Sequence, residues 1–546
     1  MVEKVNSGIK MVREEIKNLI KKTVKKTFGI DLAEVEINRP AEQFGDYATN
    51  VAMILAQQKG QKAEEVASFL SSRLREELKK GGEGVIKEVM VAGPGFINFF
   101  IDEKYFWREL IKILKERKKY GSLEIGKNKK IQVEFISANP TGPLTVGNGR
   151  GGPFGDVLAN VLGKAGYRTE RAYYINDYGG QILALGHSVL KDSEAQYKGE
   201  YLEELQRRFR KGDPRIVGEK AARFILEKMI KKTIARLGIK YDKWISEKKL
   251  HQKGEVEKVL KVLDKKGLLY EKEGALWFKS SQFGDQRDRV VVKSGAEKAK
   301  TYLLGDIALH RYKFEKRKFD KAINIWGADH YGDVPGLQAG VAALGYGGRL
   351  EIILLQFVTV LEKGKPLRMS KRKGVFVTMD ELLDEVGKDA VRFFFLGRAA
   401  ETHLVFDLDL AKEQSEKNPV YYVQYAYARI CRVLEKAGCL GKLFWLYFYL
   451  KRWRPELLTQ KSELLLIKQL AKFPEVVEET AKDYQVQRLP QYALELAAAF
   501  HRFYDCCRII SAEKELSRAR LGLVLATKFI LKNTLALMGI STPEKM

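Results

Sequence analysis

The spacing of apolar side chains predicts an α+β unit at the start of the chain. An amphipathic helix with a basic outer face comes first. Its apolar positions recur every three or four residues, at Ile9, Val12, Ile16, Ile20 and Val24. A second helical pattern follows over 51–74, and strand-like apolar runs occupy 85–91 and 96–101. Residues 1–120 are therefore expected to form an N-terminal α+β domain.

Beyond residue 120, short apolar runs alternate with helical segments, which is typical of an α/β protein with a parallel sheet. Residues 131–136 predict a strand, and after a loop a helix is expected to end at Gly166. Residues from about 188 to 270 predict a charged helical insertion. Further strands are expected at 172–177, 274–293, 303–307, 322–326 and 351–362, the last of them central in the sheet. We predict a Rossmann-type parallel-sheet domain over residues 121–380.

After Thr378 the apolar positions keep a helical spacing, and no strand pattern interrupts them. Residues 381–546 are therefore expected to form an all-α C-terminal domain. Its first long segment carries a stripe of aromatic side chains followed by arginines, at Tyr421, Tyr422, Tyr425, Tyr427, Arg429 and Arg432. Such a stripe either packs into a helical core or stacks on unpaired bases.

The charge balance favours a polyanionic partner. Lysine and arginine number 97 against 70 aspartates and glutamates, which gives a net charge of +27. Nucleic acid is the leading candidate, and a solvated basic surface without a partner is the alternative. No apolar run has the length needed to span a bilayer, and charges interrupt the first segment throughout. We expect a cytoplasmic protein with no membrane partner.

The cysteines do not indicate a metal site. Cys431, Cys439, Cys506 and Cys507 form no CxxC pair and no cluster with histidines. We therefore predict no zinc site, no structural disulfide and no bound organic cofactor.

A glycine-rich loop joins the strand at 131–136 to the helix that follows it. Its glycines are Gly142, Gly147, Gly149, Gly151 and Gly152. Glycines let a backbone approach a ligand closely, and the free N–H groups of a helix start favour anions. A phosphate-bearing ligand fits this pattern, whereas an ordinary tight connection between strand and helix is the alternative.

The amino-acid sequence of this loop resembles a motif of a known family. Ser137-Ala138-Asn139-Pro140 and Val146-Gly147-Asn148-Gly149-Arg150 resemble the nucleotide-binding signature of class I aminoacyl-tRNA synthetases, specifically of arginyl-tRNA synthetases. One departure matters, because the family has His-Val-Gly-His where this chain has Thr145-Val146-Gly147-Asn148. Threonine and asparagine can still donate hydrogen bonds, and a similar Thr-Ile-Gly-Asn occurs in tryptophanyl-tRNA synthetases.

Further segments resemble the same family in chain order. Tyr302 and Asp306 resemble the pair that grips the arginine side chain, and a carboxylate matches the planar fork of a guanidinium. His330, after Trp326, resembles a substrate-contacting histidine. Arg368-Met369-Ser370-Lys371, in a basic loop, resembles the Lys-Met-Ser-Lys signature. Taken alone, Asp306 could be a surface or capping aspartate, His330 a structural histidine and the basic loop a solvated run.

The resemblance also covers both ends of the chain. Residues 44–50 and 91–98 resemble the N-terminal additional domain, which contacts the outer corner of the tRNA in that family. The segment at 413–430 resembles the start of the helical anticodon-binding domain. These matches imply that residues 121–380 form the catalytic domain of a synthetase. We expect a monomer, although nothing in the sequence determines the oligomeric state.

The resemblance implies ligation of L-arginine to tRNA(Arg) through an arginyl-adenylate, with ATP and Mg²⁺ as substrate. Ser137, Asn139, Asn148, Tyr302, Asp306 and His330 would hold arginine. Thr145, Gly147, Asn148, Met369, Ser370 and Lys371 would bind ATP, with Thr145, Asn148 and Lys371 assisting catalysis. Family members generally need bound tRNA for the first step. The missing histidines leave a catalytically impaired tRNA-binding paralogue as one alternative. A general basic RNA-binding protein, which would account for the charge, is the other.

Overall fold

The computed structural model describes residues 12–80, 84–295, 298–367, 377–438 and 453–546. Contacts between Cα atoms divide the chain into two compact units. The first contains Met1–Tyr120, Val433–Glu475 and Ala499–Ile530, and the second contains Gly121–Arg432, Val476–Ala498 and Leu531–Met546.

Fourteen strands lie within the described residues, in four sheets. They are β1 (Tyr47–Thr49), β2 (Ile86–Ala92), β3 (Phe96–Ile101), β4 (Lys130–Glu134), β5 (Arg168–Ile175), β6 (Lys243–Ser246), β7 (Leu269–Lys272), β8 (Ala275–Phe278), β9 (Arg289–Val292), β10 (Lys321–Gly327), β11 (Leu350–Leu355), β12 (Val358–Glu362), β13 (Lys365–Pro366) and β14 (Leu404–Asp407).

The α-helices of the described residues are α1 (Val12–Phe28), α2 (Val51–Lys59), α3 (Ala63–Lys80), α4 (Glu103–Glu116), α5 (Val146–Gly149), α6 (Gly151–Lys164), α7 (Gly180–Leu190), α8 (Tyr201–Arg208), α9 (Pro214–Ile225), α10 (Lys231–Arg236), α11 (Glu247–Gln252), α12 (Glu255–Lys265), α13 (Tyr302–Arg311), α14 (Val334–Ala343), α15 (Met379–Leu396), α16 (Leu408–Lys412), α17 (Pro419–Lys436), α18 (Lys461–Ala471), α19 (Phe473–Asp483), α20 (Arg488–Cys506) and α21 (Lys514–Met538).

The first unit is built on the antiparallel sheet β1-β3-β2, with α1 and α3 packed beside it. The predicted amphipathic helix is confirmed in α1, which buries Val12, Ile16, Ile20 and Val24. Ile9 lies outside the described residues. An ion pair fastens α18 to this sheet, because Lys468 Nζ lies 2.7 Å from Asp46 Oδ1.

The second unit centres on the parallel five-stranded sheet β11-β10-β4-β5-β6, which confirms the predicted Rossmann-type class. Helix α6 packs directly on the end of β4. A Cβ atom at Gly155 would lie 2.2 Å from the ring of Phe135, so glycine is required for this approach. Since β4 lies between β10 and β5, the loop that follows it opens at the middle of the carboxyl edge of the sheet.

Four secondary-structure predictions for this unit need correction. The segment predicted as a helical insertion contains β6, which is the edge strand beside β5. Residues 274–293 contribute β8 and β9 to a separate antiparallel sheet with β7, instead of the parallel sheet. Residues 303–307 are helical, because Leu304, Ile307 and Ala308 are buried at helical spacing within α13.

The fourth correction concerns residues 351–362, predicted as one central strand. The run breaks at Gln356 and Phe357, where the Gln356 N–H donates to Ala400 O. Strand β11 is therefore an edge strand of the parallel sheet, not a central one. Strand β12 pairs with β13 and β14 in a different sheet.

The prediction that no strand follows residue 378 is also wrong, since β14 pairs in parallel with β12. The remaining elements described after this point are helical, as expected. Helix α21 is long and apolar enough, by length and composition, to cross a membrane, which the sequence analysis overlooked. Its most apolar window is 67% buried, as in the core helix of a folded domain.

Candidate active site at the carboxyl edge of the parallel sheet

The loop after β4 has a strained start. Ile136 and Ser137 both adopt left-handed backbone conformations, with φ of 63° and 42°. Residues with side chains pay roughly 1–2 kcal/mol each for this conformation. The Tyr174 N–H stabilises the turn by donating to Ser137 Oγ at 3.0 Å. Such outliers cluster at functional sites, where the surrounding structure holds them.

Three tyrosines fasten this loop at regular intervals. Each hydroxyl donates to a backbone carbonyl at 2.8 Å: Tyr241 to Phe135, Tyr173 to Ala138 and Tyr201 to Thr141. Burial raises the pKa of all three phenols, so they remain protonated donors. The path of the loop is thus fixed from β5, from α8 and from the segment before β6.

Thr145 and Asn148 form a closed pair at the start of α5. Thr145 is the N-cap residue, and its hydroxyl accepts from the Asn148 N–H at 3.3 Å. The same hydroxyl donates to Asn148 Oδ1 at 2.8 Å. Asn148 is exposed, and its amide nitrogen makes no hydrogen bond to the described part of the chain. That nitrogen is therefore available to an incoming ligand.

The glycines of the loop do not all serve the purpose that the sequence suggested. A Cβ at Gly149 would lie 2.2 Å from Met379 Sδ, and one at Gly152 would lie 2.9 Å from Ile239 Cδ1. These two glycines allow close packing of protein on protein. Gly147 is exposed, and its nearest neighbour would be Thr145 Oγ1 at 3.8 Å, so its backbone is open to a ligand.

Arg150, at the end of the same motif, points into the protein. Its guanidinium donates to Gln356 O at 2.5 Å and to Ala399 O at 2.9 Å. Burial lowers the pKa of Arg150 to about 10. The side chain therefore ties the start of α6 to the point where the chain leaves the parallel sheet.

Helix α13 presents Tyr302 and Asp306 on one face, four residues apart. Burial, with the charges of Glu134 and Glu247, raises the pKa of Asp306 well above its usual range. Its carboxylate makes no hydrogen bond or ion pair with the described residues. Asp306 is half-buried, and a carboxylate without a partner there is costly, so a cationic ligand would relieve that cost.

Glu247 is a second carboxylate of this site, and the sequence analysis missed it. His251 Nε2 lies 4.0 Å from its Oε1 atom, but burial lowers the pKa of that imidazole and so disfavours its charged form. It begins α11, directly after β6, and a Cβ at Gly305 would lie 3.5 Å from Glu247 Oε1. Burial, then the charge of Asp177, raises the pKa of Glu247 to about 7. Its Oε2 atom and the hydroxyl of Tyr174 are both buried without a hydrogen-bond partner in the described chain. Recognition of β6 would have placed Glu247 at the carboxyl edge of the sheet.

A third carboxylate, Glu134, is already neutralised. Lys313 Nζ lies 2.7 Å from Glu134 Oε2 and 3.1 Å from Asn324 Oδ1, and all three side chains are buried. Lys313 lies in a turn of π-helix, Tyr312–Lys316. Burial and the Lys313 charge lower the pKa of the adjacent His310 to about 3, so this imidazole is neutral. Asp306 and Glu247 are thus left to bind a cation.

Comparison with known proteins agrees with this geometry. Three family models match the chain: the arginyl tRNA synthetase N terminal domain over residues 14–101, the class I (R) tRNA synthetase catalytic domain over 109–250 and 219–395, and the DALR anticodon binding domain over 423–546. An arginine--tRNA ligase of Caldanaerobacter subterraneus subsp. tengcongensis is 40% identical, with 98% of this chain and 99% of the relative covered. The chain belongs to the arginyl-tRNA synthetase family.

Two further comparisons support this membership. The arginine--tRNA ligase of Carboxydothermus hydrogenoformans is 43% identical, with 94% of each chain covered. The arginyl-tRNA synthetase structure from Thermus thermophilus superimposes with a TM-score of 0.78 at 21% identity, covering 98% of this chain and all of the other, which shows the shared fold. The predicted family, fold class and enzyme class are confirmed.

The other predicted site residues are Asn139, His330, Met369, Ser370 and Lys371. Asn139 is exposed, and its Oδ1 accepts from Asn176 Nδ2 at 2.7 Å. His330 is exposed on a turn after β10, with Nδ1 3.3 Å from Asp333 Oδ2. Met369, Ser370 and Lys371 lie outside the described residues. The segment that follows them pairs with the signature helix, since the Val146 N–H donates to Val377 O at 3.2 Å.

The described ranges contain no group of three or more His, Cys, Asp or Glu side chains that could hold a metal ion. Of the four cysteines, Cys431 and Cys507 are buried and Cys506 is exposed, and Cys439 falls in a range that the structure leaves undescribed.

Proposed function

We propose that the protein ligates L-arginine to tRNA(Arg) through an arginyl-adenylate, using ATP. The observation that carries this proposal is the pair of carboxylates, Asp306 and Glu247, which have no lysine or arginine partner among the described residues. Two carboxylates match the planar donor fork and the delocalised charge of a guanidinium. A lysine ammonium or a neutral side chain would leave part of this acidic site unpaired, so the site selects arginine.

In the first step the carboxylate of arginine attacks the α-phosphorus of ATP. A bond forms between that oxygen and phosphorus, the bond to the bridging oxygen breaks, and pyrophosphate leaves. The enzyme supplies positioning and charge stabilisation, and none of its residues becomes covalently attached. In the second step a ribose hydroxyl of the terminal nucleotide attacks the carbonyl carbon, and AMP leaves.

The proposal assigns a role to each residue of the site. Ser137, Asn139 and Asn148 hold the amino acid backbone, and Tyr302, Asp306, Glu247 and His330 form the arginine site. Thr145, Gly147, Asn148, Met369, Ser370 and Lys371 bind ATP. The exposed backbone N–H of Gly147 is open to a phosphate oxygen, and the Asn148 amide nitrogen adds a side-chain donor. Lys371 meets the charge that develops on the departing pyrophosphate, and Mg²⁺ enters as part of the ATP substrate.

The domains divide the recognition of tRNA. We assign residues 1–120 to the outer corner of the tRNA, 121–380 to catalysis and 381–546 to the anticodon. The parallel stack of Tyr421 on Tyr425, with ring centroids 6.3 Å apart, and the guanidinium of Arg429 over Tyr425 support a role in base stacking. We further propose a cytoplasmic monomer without zinc.

Exchange of labelled pyrophosphate into ATP tests the first step. Exchange should require arginine and tRNA together, and it should not occur with citrulline, which has the shape of arginine without its charge. A protein that binds tRNA but shows no exchange with any amino acid would be the impaired paralogue. Exchange with citrulline as efficient as with arginine would contradict the role of the two carboxylates.

A further inference from the structure

A basic cleft lies between α7 and α8, outside the residues assigned to arginine and ATP. Its volume is about 480 Å³. The lining residues are Val189, Leu190, Lys191, Glu203, Gln206, Arg207 and Arg210. Three cations and one carboxylate give the cleft a net positive charge.

The three cations are not neutralised by the protein. Lys191, Arg207 and Arg210 are exposed, and none forms an ion pair within the described ranges. The Nε atoms of Arg207 and Arg210 donate to the backbone carbonyls of Glu203 and Arg207 at 3.3 and 3.2 Å, which leaves the terminal guanidinium nitrogens free.

The neighbouring Arg208 shows the contrasting arrangement. Its Nη2 lies 3.0 Å from Glu204 Oε1, and its guanidinium covers the ring of Phe224 at 4.7 Å. Arg208 therefore has an evident structural partner, whereas the cleft arginines on the same segment have none. Cations held around a concavity without carboxylate partners are suited to an anion that comes from outside.

The position of the cleft near the signature loop indicates which anion it would bind. Helix α8 carries Tyr201 at its first residue and Arg207 six residues later, which corresponds to about 9 Å along the helix. Tyr201 holds Thr141 of the signature loop, so the same helix contacts the reaction site and the cleft. An RNA bound in the cleft would have its amino-acid-accepting end close to that site.

We propose that this cleft binds backbone phosphates of the tRNA near its acceptor end. The inference rests on the proposed function, because it takes tRNA as the substrate. An open, polar cleft with spaced arginines suits consecutive phosphodiesters, which contribute affinity without base specificity.

Two double variants that remove the same charge test the proposal. Arg207→Gln with Arg210→Gln removes two cleft cations. Arg208→Gln with Arg215→Gln, in α8 and α9 and outside the cleft lining, is the control that removes the same charge. Direct binding of tRNA is measured across a salt series, together with the tRNA KM and kcat for arginylation. Melting temperature and ATP binding report whether each variant is folded.

The cleft variant should bind tRNA on the order of tenfold more weakly, and the slope of log K against log salt should become shallower by about one per lost phosphate contact. Its tRNA KM should rise while kcat at saturating tRNA stays near wild type, and the control should keep wild-type binding. Equal losses in both variants would overturn the proposal in favour of a general field. Loss of binding to inorganic phosphate or ATP, with tRNA affinity unchanged, would overturn it in favour of a free-anion site.

Failure of the proposed function would look different. Wild-type protein would then show no arginylation at any tRNA concentration, whereas direct tRNA binding by the two variants would still report on the cleft.

Discussion

The hydroxyl of Thr145 donates to the side-chain oxygen of Asn148 at 2.8 Å and accepts from the backbone N–H of the same residue at 3.3 Å. This reciprocal pair caps α5 and turns the amide nitrogen of Asn148 outwards. The two residues that replace the family's signature histidines therefore share one task. In the proposed mechanism, Thr145 orients the amide group and Asn148 presents its nitrogen as a donor to the nucleotide.

Thr145→Ala should impair activation by loss of orientation. The substitution removes an N-cap that contributes about 0.5–2 kcal/mol, and it frees the Asn148 side chain to rotate. Activation should slow by roughly tenfold, which corresponds to about 1.4 kcal/mol. Thr145→Ser keeps the hydroxyl and is the matched control. Pyrophosphate exchange measures both, and an alanine variant as active as the serine variant would contradict the role of the pair.

Asn148→Ala should be the more damaging change. It removes a donor aimed at developing negative charge, and such donors lower activation barriers by about 2–4 kcal/mol. Neither Asn148 nor Thr145 titrates near neutral pH, so the two positions should add no histidine-like pH dependence to activation. A kcat for exchange that is unchanged in the alanine variant would show that backbone N–H groups alone hold the nucleotide.

Asp306→Asn should weaken arginine use far more than ATP use. The asparagine cannot neutralise the guanidinium, and loss of a hydrogen bond to a charged partner costs about 1.5–3 kcal/mol, or roughly 10- to 100-fold in the arginine KM. The KM for ATP should stay near wild type. Asp264→Asn, at an exposed aspartate of the same unit, serves as the control. Equal effects on the two KM values would make Asp306 a structural residue.

Arginine binding should depend on pH through Glu247. Burial raises the pKa of this carboxyl to about 7 in the free protein, and a cation binds its ionised form. As pH falls below 7 a proton must leave before arginine binds, so the apparent Kd should rise about tenfold between pH 8 and pH 6. The nearby His251 does not reverse this trend, since burial lowers its pKa.

The raised pKa of Glu247 has the opposite effect on folding stability, which falls as pH rises, whereas arginine affinity increases. A carboxyl whose pKa is raised on folding favours the folded state below its unfolded pKa, and this contribution is lost as pH rises through about 7.

Calorimetric titration of arginine at pH 6, 7 and 8 with wild type and Glu247→Gln measures how arginine binding depends on ionisation of this carboxyl. The variant should show the weaker pH dependence, and identical profiles would exclude Glu247 from the arginine site.

Lys371→Ala should lower turnover in activation with little change in ATP affinity. Its ammonium meets charge that grows as pyrophosphate departs, so it stabilises the transition state more than the ground state. Lys373→Ala removes the same charge two residues away and is the control. Equal losses of turnover and ATP affinity in the Lys371 variant would indicate simple tethering of the nucleotide.

The sequence predicted the elements whose apolar period is long and unbroken. Helix α1 and the strand, loop and helix around Gly147 follow directly from such patterns. The segment at 303–307 was misassigned because Leu303 and Leu304 are adjacent, although the burial of Leu304 and Ile307 follows a helix. Short apolar runs do not distinguish strand from helix, and packing against neighbours decides between them.

The proposed arginine site could be predicted only in part, because it too depends on packing between distant segments. Asp306 stands in a recognisable motif, but Glu247 depends on β6, a four-residue edge strand surrounded by charged helices. Its role appears only when the sheet brings α11 next to Gly305. The three tyrosine hydroxyls that hold the signature loop are likewise set by tertiary structure, because their carbonyl partners are remote in sequence.

Attachment of labelled arginine to tRNA is the most direct test of the central claim. The purified protein is incubated with ATP, Mg²⁺, tRNA(Arg) and labelled arginine, and acid-precipitable label is followed with time. We predict arginylation by wild type, a much higher arginine KM in Asp306→Asn, and no label transfer from citrulline. Wild-type protein that binds tRNA(Arg) yet transfers no arginine to it would contradict the account.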